Sequence, residues 1–229
     1  MAADKNSLPD HCLRWDNVQQ EYYLALPSRP GIRLTLRRKT DEGALVELFN
    51  SPKVLQYSYN KPRPFTLAEA NLDQAIEECR ALSKDLSLHP PYVPYVQGFP
   101  FRAIRNSAGK LVGVMNVNPK IDWKRATLAE MAAIPPAQQT WHIAYDLLPK
   151  YSGQDVMSEV VDAVLNHWIK PYMRIGIVRS FAEEGNAASR RVLEKSGFRE
   201  TREEDLKWPE HNGGGTRRVQ WYELQLGEA

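Results

Sequence analysis

The sequence has only two cysteines in 229 residues, Cys12 and Cys79, which lie far apart and without the spacing of a metal site. We therefore expect two thiols in a reducing cytosol, and no disulfide framework or metal centre. It also lacks an apolar run of about 18 residues and an apolar N-terminal segment, so neither a membrane span nor a secretory signal is predicted. The small net charge of +2 argues against a strong general attraction to nucleic acid or membranes.

What the chain does contain is typical of a globular protein. Hydrophobic residues make up 42% and charged residues 25%, which is an ordinary composition for a packed domain. Residues 1–30 are polar and mixed, and they end in a stretch rich in proline and glycine. We expect an N-terminal extension that packs on the body, a boundary near Gly31, and one large domain over residues 31–229.

The rest of the chain is organised around residues 140–170. Trp141, Ile143 and Tyr145 alternate with other residues, which predicts a strand. A polar turn with one glycine follows, and apolar residues then recur at helical spacing until Pro171, where we expect the helix to end. Such a loop points unpaired N–H groups and the positive end of a helix dipole outward. The stretch predicts an anion site suited to phosphate, although a plain tight connection has the same pattern.

The remaining segments alternate between strand and helix patterns. Asn106 to Gly109 is a good hairpin turn between two strands, and residues 119–139 look like an insertion before the central strand. The predicted strands are 32–36, 101–105, 110–116, 141–146, 174–181, one that starts at Phe198, and 219–226, and the predicted helices are 41–49, 67–82, 157–169 and 186–196. This order predicts an α/β (α+β) fold, with a mixed sheet and helices on both of its faces.

Three segments resemble motifs of the GNAT superfamily of acyl-CoA N-acetyltransferases, in that family's order. The strand IAYDLLP resembles the family's fourth strand, the loop KYSGQDVMSE resembles its pyrophosphate loop, and NAASRRVLEKSGF resembles its last helix and Gly-Phe end. The phrase FNSPKVLQY is similar to the branch of ribosomal-protein-alanine acetyltransferases, the RimJ/RimL-like proteins. The resemblance covers roughly residues 31–226.

The resemblance implies a fold, a co-substrate and a reaction. The fold is a mostly antiparallel sheet of about seven strands, in which the fourth and fifth strands splay apart. The co-substrate is acetyl-CoA, and the reaction is direct acetyl transfer to a primary amine in a ternary complex. The acceptor is a small molecule or a protein N-terminus, and its pocket is expected near residues 57–65 and 92–99.

The resemblance also implies which residues bind CoA. The pantetheine arm would pair with the backbone of the fourth strand, the loop would hold the diphosphate, and the last helix would add further contacts. The expected residues are Tyr145, Asp146, Leu147, Lys150, Tyr151, Ser152, Gly153, Gln154, Asp155, Val156, Asn186, Ser189 and Arg191. Asp155 departs from the family, which has Gly or Ala at this position. An inward carboxylate would repel a diphosphate, whereas an outward one favours the helix dipole, and we expect the outward direction.

The catalytic residues are less clearly marked. Many family members use a tyrosine on the last helix as the acid, but Leu193 occupies that position here. Ser189, one turn earlier, aligns with a serine near the thiolate in the ribosomal branch. For the base, His142 stands at a strand position where many relatives carry Glu, and a near-neutral pKa would suit it. Glu130 and Asp122 are alternatives that the sequence does not separate.

Other classes of protein stay open at this point. The changes at Asp155 and Leu193 also fit a non-catalytic acyl-CoA-binding protein or a scaffold with the same fold. No nucleic-acid, membrane or metal partner is expected, and the chain is expected to be a cytoplasmic monomer or homodimer.

Overall fold

A mixed sheet of ten strands forms the body of the part of the chain that the computed structural model describes, which is residues 12–70, 72–84, 86, 95–121 and 124–227. The strands are β1 (Leu13–Asp16), β2 (Glu21–Ala25), β3 (Ile32–Thr35), β4 (Ala103–Asn106), β5 (Leu111–Ile121), β6 (Lys124–Arg125), β7 (Thr140–Leu147), β8 (Ile177–Glu183), β9 (Arg199–Lys207) and β10 (Thr216–Gln225). Their order is β1-β2-β3-β4-β5-β7-β8-β10-β9, with β6 paired to β5. All pairs are antiparallel except β7 with β8.

Helices cover both faces of this sheet. They are α1 (Glu42–Asn50), α2 (Pro52–Leu55), α3 (Asp73–Lys84), α4 (Leu128–Ala132), α5 (Val156–Val164) and α6 (Ala187–Lys195). On β7, Tyr145 contacts Ser189 of α6. The next residue, Asp146, points to the opposite face and lies near Lys61, whose ammonium group lies over the Phe49 ring of α1. The predicted mixed α/β class is therefore confirmed.

The number of strands differs from the expected seven or so. Two of the additional strands are β1 and β2, which form a hairpin and extend the sheet beyond β3. The third is the short β6 in the segment that we read as an insertion. The boundary near Gly31 stays a prediction, but β2 pairs directly with β3 across it.

The helix after the glycine loop is longer than predicted. It does not end at Pro171 but continues as a π-helix over Leu165–Met173 and stops at Arg174 in a left-handed conformation. Trp168 is fully buried, its indole N–H donates to the Gly98 carbonyl at 2.8 Å, and its ring stacks on Tyr172 at 4.7 Å. Pro171 has no N–H to donate within this helix, and burial of these aromatic rings favours the continued helix in spite of the missing hydrogen bond.

The second predicted helix starts later than expected. Residues 67–70 form a turn, and the helix begins at Asp73. The backbone N–H of Thr66 donates to the Glu69 carboxylate and the Ala70 N–H donates to the Thr66 carbonyl, so one turn forms where we predicted the start of the helix, but it is not continuous with α3.

Within the described residues, no helix is long and apolar enough to cross a membrane, and no group of three or more His, Cys, Asp or Glu is arranged to hold a metal ion.

Candidate active site

The site predicted from the sequence lies where β7 and β8 separate. These parallel strands pair at three positions, the last of which joins His142 to Arg179. One further link is the Ser180 hydroxyl, which donates to the Ile143 carbonyl at 3.0 Å. Both strands stay paired on their outer sides, β7 with β5 and β8 with β10. Residues 144–147 therefore border a gap, and an unpaired strand edge can pair with an extended amide chain.

The loop before α5 presents backbone N–H groups that have no backbone acceptor in the described part of the chain. Pro149–Tyr151 forms one 3-10 turn, and Gly153 follows with φ +73°. Among the described residues, none accepts a backbone hydrogen bond from the N–H groups of 153–156. A Cβ added at Gly153 would meet nothing within 4 Å, so the space above this residue is open. With the positive end of the α5 dipole behind it, the loop can hold a phosphate through its backbone.

Asp155 is compatible with this loop for two reasons. It is the N-cap residue of α5 and has a left-handed conformation with φ 57° and ψ 8°. Glycine adopts this conformation most easily, and aspartate tolerates it better than most residues do. The carboxylate accepts a 2.5 Å hydrogen bond from the Lys195 ammonium group of α6, which lowers the pKa of Asp155. Its charge is therefore compensated from outside the loop.

The other predicted loop residues mainly shape the loop. The Tyr151 hydroxyl accepts a 3.1 Å hydrogen bond from the side-chain amide of Asn106. The Gln154 side chain donates to the Lys150 carbonyl at 2.8 Å. Lys150 and Ser152 are exposed, and the Lys150 ammonium group lies 5.3 Å from the centre of the Tyr151 ring. The charge of Lys150 therefore stays at the surface beside the open N–H groups.

The first turn of α6 closes one side of the gap. Asn186 is its N-cap residue, and its side-chain oxygen accepts a 3.1 Å hydrogen bond from the Ser189 N–H. The Ser189 hydroxyl lies 3.1 Å from the Tyr145 hydroxyl, which also reaches the Ser189 carbonyl at 3.2 Å. Burial raises the pKa of Tyr145 well above its usual value, so its hydroxyl stays protonated. Leu193 is fully buried at the position where the resemblance expects an acid.

The two arginines of α6 point in different directions. Arg190 donates to the Tyr222 hydroxyl at 3.2 Å and lies 3.5 Å from the Glu200 carboxylate, so it is held by the sheet. Arg191 is exposed and close enough to Asp155 to lower the pKa of that carboxyl group. Of the two, Arg191 lies nearer the loop.

His142, the predicted base, is enclosed. Its ring lies against Phe181, with centroids 5.6 Å apart, and its Nε2 atom is buried with no hydrogen-bond partner among the described residues. Burial, and then the charge of Lys120, lower the pKa of His142 to about 4. The near-neutral pKa expected from the sequence is therefore wrong, because the apolar surroundings disfavour the imidazolium ion.

The sequence analysis overlooked the side chain of Asp146, a second titratable group on the same face of β7 as His142. We had assigned Asp146 to the site for its backbone alone. Burial raises the pKa of the Asp146 carboxyl group to about 6, although the charges of Lys61 and Arg37 oppose the shift. The Nε and Nη1 atoms of Arg37 are buried without a hydrogen-bond partner in the described part of the chain. The alternation along β7 could have indicated Asp146, but its cationic neighbours come from distant segments.

Asp146→Asn should change how stability depends on pH. The folded-state pKa of about 6 exceeds the ordinary value of 3.8, so this carboxyl group favours folding below pH 4 and loses that contribution as pH rises through 6. The loss is of the order of 3 kcal/mol. Urea unfolding of both proteins from pH 4 to pH 8 should show the asparagine variant gaining stability relative to wild type across this range. A difference in unfolding free energy that stays constant with pH would contradict the assigned environment.

The structure adds no support for Glu130 or Asp122, the two alternative bases in residues 119–139. The Glu130 carboxylate accepts hydrogen bonds from the N–H and hydroxyl of Thr127 at 2.7 and 2.8 Å, and these contacts lower the pKa of Glu130. Glu130 is thus the exposed partner in the capping box of α4, so it has a structural role. Asp122 lies outside the described residues.

A small aromatic core packs on the His142 side of β8 and β10, since Phe181 contacts both this core and the His142 ring. Trp208, Val219 and Trp221 are its buried members, and Tyr59 and Phe181 pack against them. Asn212, in the connection between β9 and β10, holds residues 58–59 in place, because its side chain donates to the carbonyls of Ser58 and Tyr59. Part of the expected wall, residues 57–65, is therefore anchored across β8 and β10.

The other expected wall fits less well. Phe99 is fully buried and packs against Phe101 and Trp168, so it belongs to the main core and does not line a pocket. Tyr95 is 41% exposed. Residues 92–94 lie outside the described part of the chain.

These features together fit an acyl-CoA. The open strand edge suits the amides of pantetheine, and the free N–H groups at the start of α5 suit a diphosphate. A sequence model described as an acetyltransferase (GNAT) domain matches residues 33–199. The chain belongs to the GNAT acetyltransferase family, and acetyl-CoA is its co-substrate. No curated protein sequence matches the chain.

Solved structures share the fold at low sequence identity. The ribosomal-protein-S5-alanine acetyltransferase from Vibrio fischeri has a TM-score of 0.59 and 15% identity, over 85% of this chain and 93% of that one. The ribosomal L7/L12 alpha-N-protein acetyltransferase RimL, in complex with coenzyme A, has a TM-score of 0.58 and 18% identity, over 87% and 97%. The acetyltransferase yncA from Salmonella typhimurium, with acetyl-CoA, gives 0.56 and 15%, over 87% and 96%. These neighbours include the branch that the sequence motifs resemble.

Proposed function

We propose that this protein transfers the acetyl group of acetyl-CoA directly to a primary amine, with both substrates bound at once. The gap between β7 and β8 carries this proposal, because both strands stay paired on their outer sides and part only beside the glycine loop. An acyl-CoA that enters from the α5 and α6 side would present its thioester to an amine from the opposite face. Both substrates then meet without a covalent enzyme intermediate.

The cysteines support direct transfer. Cys12 and Cys79 are buried and not joined by a disulfide. Burial raises the pKa of the Cys79 thiol, which disfavours the nucleophilic thiolate. Neither residue belongs to the elements that form the gap, so an acetyl-cysteine intermediate is not part of the proposal.

In the proposed reaction, Ser189 stabilises the departing thiolate and Tyr145 positions Ser189. The Tyr145 hydroxyl has one proton to donate and lies within reach of both oxygens of Ser189. When it donates to the Ser189 hydroxyl oxygen, the serine proton is free to point into the gap. A donor aimed at charge that develops during the reaction lowers the barrier more than it strengthens substrate binding.

Ser189→Ala should therefore lower kcat by about a hundredfold and leave the KM for acetyl-CoA nearly unchanged. Tyr145→Phe should lower kcat by about tenfold, and the double variant should be no slower than Ser189→Ala, because the tyrosine acts through the serine. Steady-state thiol release measures all three. Ser196→Ala, at the C-cap of the same helix, is the matched control, since its buried hydroxyl has no partner within the described residues. Additive losses in the double variant would contradict the arrangement.

Asp146 is the base that we propose. It lies beside the open part of the gap, whereas His142 lies at the last paired position of the two strands. A general base works best when its pKa is near the working pH, and a pKa of about 6 for Asp146 is closer than one of about 4 for His142. As the nitrogen attacks the thioester carbonyl and the carbon–sulfur bond breaks, the amine proton passes to the carboxylate.

The acceptor that we propose is a primary amine, in a protein N-terminus or a small molecule. Two of the structural neighbours are named as acetyltransferases of ribosomal proteins, one of them for an alpha-amino group. We further propose that the protein acts in the cytoplasm as a monomer or homodimer.

A thiol-release assay tests the proposed function. Acetyl-CoA is incubated with the protein and a panel of amines, which includes N-terminal alanine peptides, polyamines, aminoglycosides and free amino acids. The proposal expects stoichiometric thiol and acetylated amine with at least one class. Binding of CoA by calorimetry without turnover on the panel would favour a non-catalytic acyl-CoA-binding protein. No binding at all would favour a scaffold.

A further inference from the structure

The N-terminal segment reaches the loop that faces the diphosphate. Arg29, in the connection between β2 and β3, lies outside the residues that match the family model. Its Nη2 atom donates to the Gln154 carbonyl at 2.7 Å and to Glu159 of α5 at 2.8 Å, and its Nε donates to Glu159 at 3.2 Å. The Ser28 hydroxyl donates to the same carboxylate at 2.7 Å. The connection between β2 and β3 is thus fastened to the start of α5 by four hydrogen bonds.

The contact with the Gln154 carbonyl fixes a donor on the opposite side of the peptide. A trans peptide is planar, and its C=O and N–H groups point in opposite directions. Arg29 holds the Gln154 oxygen on the side of the β2–β3 connection, so the N–H of Asp155 points away from that connection. That N–H has no backbone acceptor among the described residues.

A second cation holds the same peptide from its other end. Asp155 has the left-handed conformation that turns the chain into α5, and the Lys195 ammonium group holds its carboxylate at 2.5 Å. Arg29 and Lys195 come from opposite ends of the sequence. Between them they fix both the orientation of this peptide and the residue that follows it. The charge of Arg29 is itself compensated by Glu159, so its effect on an anion is mainly geometric.

We propose that Arg29 is a positioning residue for the CoA diphosphate and sets the Asp155 N–H toward it before the ligand arrives. This inference rests on the proposed function, because it takes the loop to be the diphosphate site. A donor that is already oriented loses less entropy on binding than one in a mobile loop. Without Arg29, the Gln154–Asp155 peptide can rotate and place a carbonyl oxygen where the phosphate oxygen should lie.

The test compares ligands with and without the diphosphate. Arg29→Ala should weaken acetyl-CoA and dephospho-acetyl-CoA about tenfold by calorimetry, the effect of losing one charged hydrogen bond. S-acetylpantetheine lacks every phosphate, so its kcat/KM should be the same for the variant and for wild type. The kcat at saturating acetyl-CoA should not change either. Arg29→Lys, which keeps one donor for the Gln154 carbonyl, should recover part of the loss.

Two control variants separate this role from general damage to the N-terminal strands. Arg33→Ala removes an arginine of matched exposure, 30% against 31%, which lies in β3, pairs with Asp16 of β1 and should leave affinity unchanged. Glu159→Gln removes the ion pair but leaves the contact with the Gln154 carbonyl, and affinity should stay within about twofold.

Two results would overturn the inference. One is an unchanged affinity of Arg29→Ala for acetyl-CoA while wild type binds it, which leaves the proposed function intact. The other is an equal loss with S-acetylpantetheine, which would show general damage to the site. If wild type itself does not bind acetyl-CoA, the proposed function and this inference both fail.

Discussion

Gly153→Val should abolish measurable binding of acetyl-CoA and leave the protein folded. Gly153 has φ +73°, and a side chain added there projects into open space and meets no protein atom within 4 Å. The variant therefore loses stability only through backbone strain, about 1–2 kcal/mol, but its side chain occupies the volume proposed for the diphosphate. Loss of two charged hydrogen bonds to the loop already corresponds to about a hundredfold in affinity. Calorimetry measures binding, and circular dichroism with thermal unfolding confirms the fold.

Asp155→Gly is the matched control for this variant. It changes a residue of the same loop to the type that the family has there, and it removes a carboxylate that Lys195 already compensates. Affinity should stay within a few-fold of wild type, and the left-handed conformation becomes easier to adopt. A folded Gly153→Val protein with normal affinity would show that the loop is not the CoA site. Tenfold tighter binding by Asp155→Gly would show that the carboxylate opposes the co-substrate.

Asp146→Asn should lower kcat/KM by about a hundredfold to ten-thousandfold, the usual contribution of a positioned base. His142→Ala should cost much less, because a base with a pKa of about 4 accepts the amine proton poorly. Both variants keep the backbone of β7 in place. Thiol release under conditions first-order in acceptor measures the two values side by side. A larger loss for His142→Ala than for Asp146→Asn would return the base to the histidine.

The pH profile gives an independent reading of the same assignment. In wild type, kcat/KM should rise with pH through about 6 as Asp146 loses its proton. The acceptor amine also loses a proton as pH rises, so its own pKa can produce a similar limb. Acceptors of different basicity separate the two effects. A rise that reports Asp146 keeps the same midpoint pH for every acceptor, whereas a rise that reports the amine shifts with the pKa of the acceptor. Lys61→Met should move the midpoint of the rise that reports Asp146 to higher pH, since the Lys61 charge favours the ionised carboxylate.

Local patterns were enough to predict the frame of the site. The alternation around Trp141 and Ile143 and the helical spacing after the loop each predicted an element that the structure contains. The resemblance of three motifs to the GNAT superfamily implied the family and the co-substrate, and both are confirmed. The roles of Gly153, Asn186 and Ser189 stay predictions, although Asn186 caps its helix as the sequence indicated.

Contacts between distant segments could not be read from the sequence. The pKa of Asp146 depends on burial and on Lys61, which is far away in the chain and lies over an aromatic ring of α1. The link from Arg29 to Gln154 joins the β2–β3 connection to the loop before α5, and no sequence motif indicates this contact. The helix beyond Pro171 was missed for a related reason, because its continuation depends on the packing of Trp168 in the core.

The most direct test of the account is a crystal structure with acetyl-CoA bound. The account predicts the pantetheine arm between β7 and β8, with its amides paired to the backbone of residues 144–147. The diphosphate should accept hydrogen bonds from the N–H groups of 153–156, and the sulfur should lie beside the Ser189 hydroxyl. Acetyl-CoA bound elsewhere, or the gap closed by continued pairing of β7 with β8, would contradict the central claim.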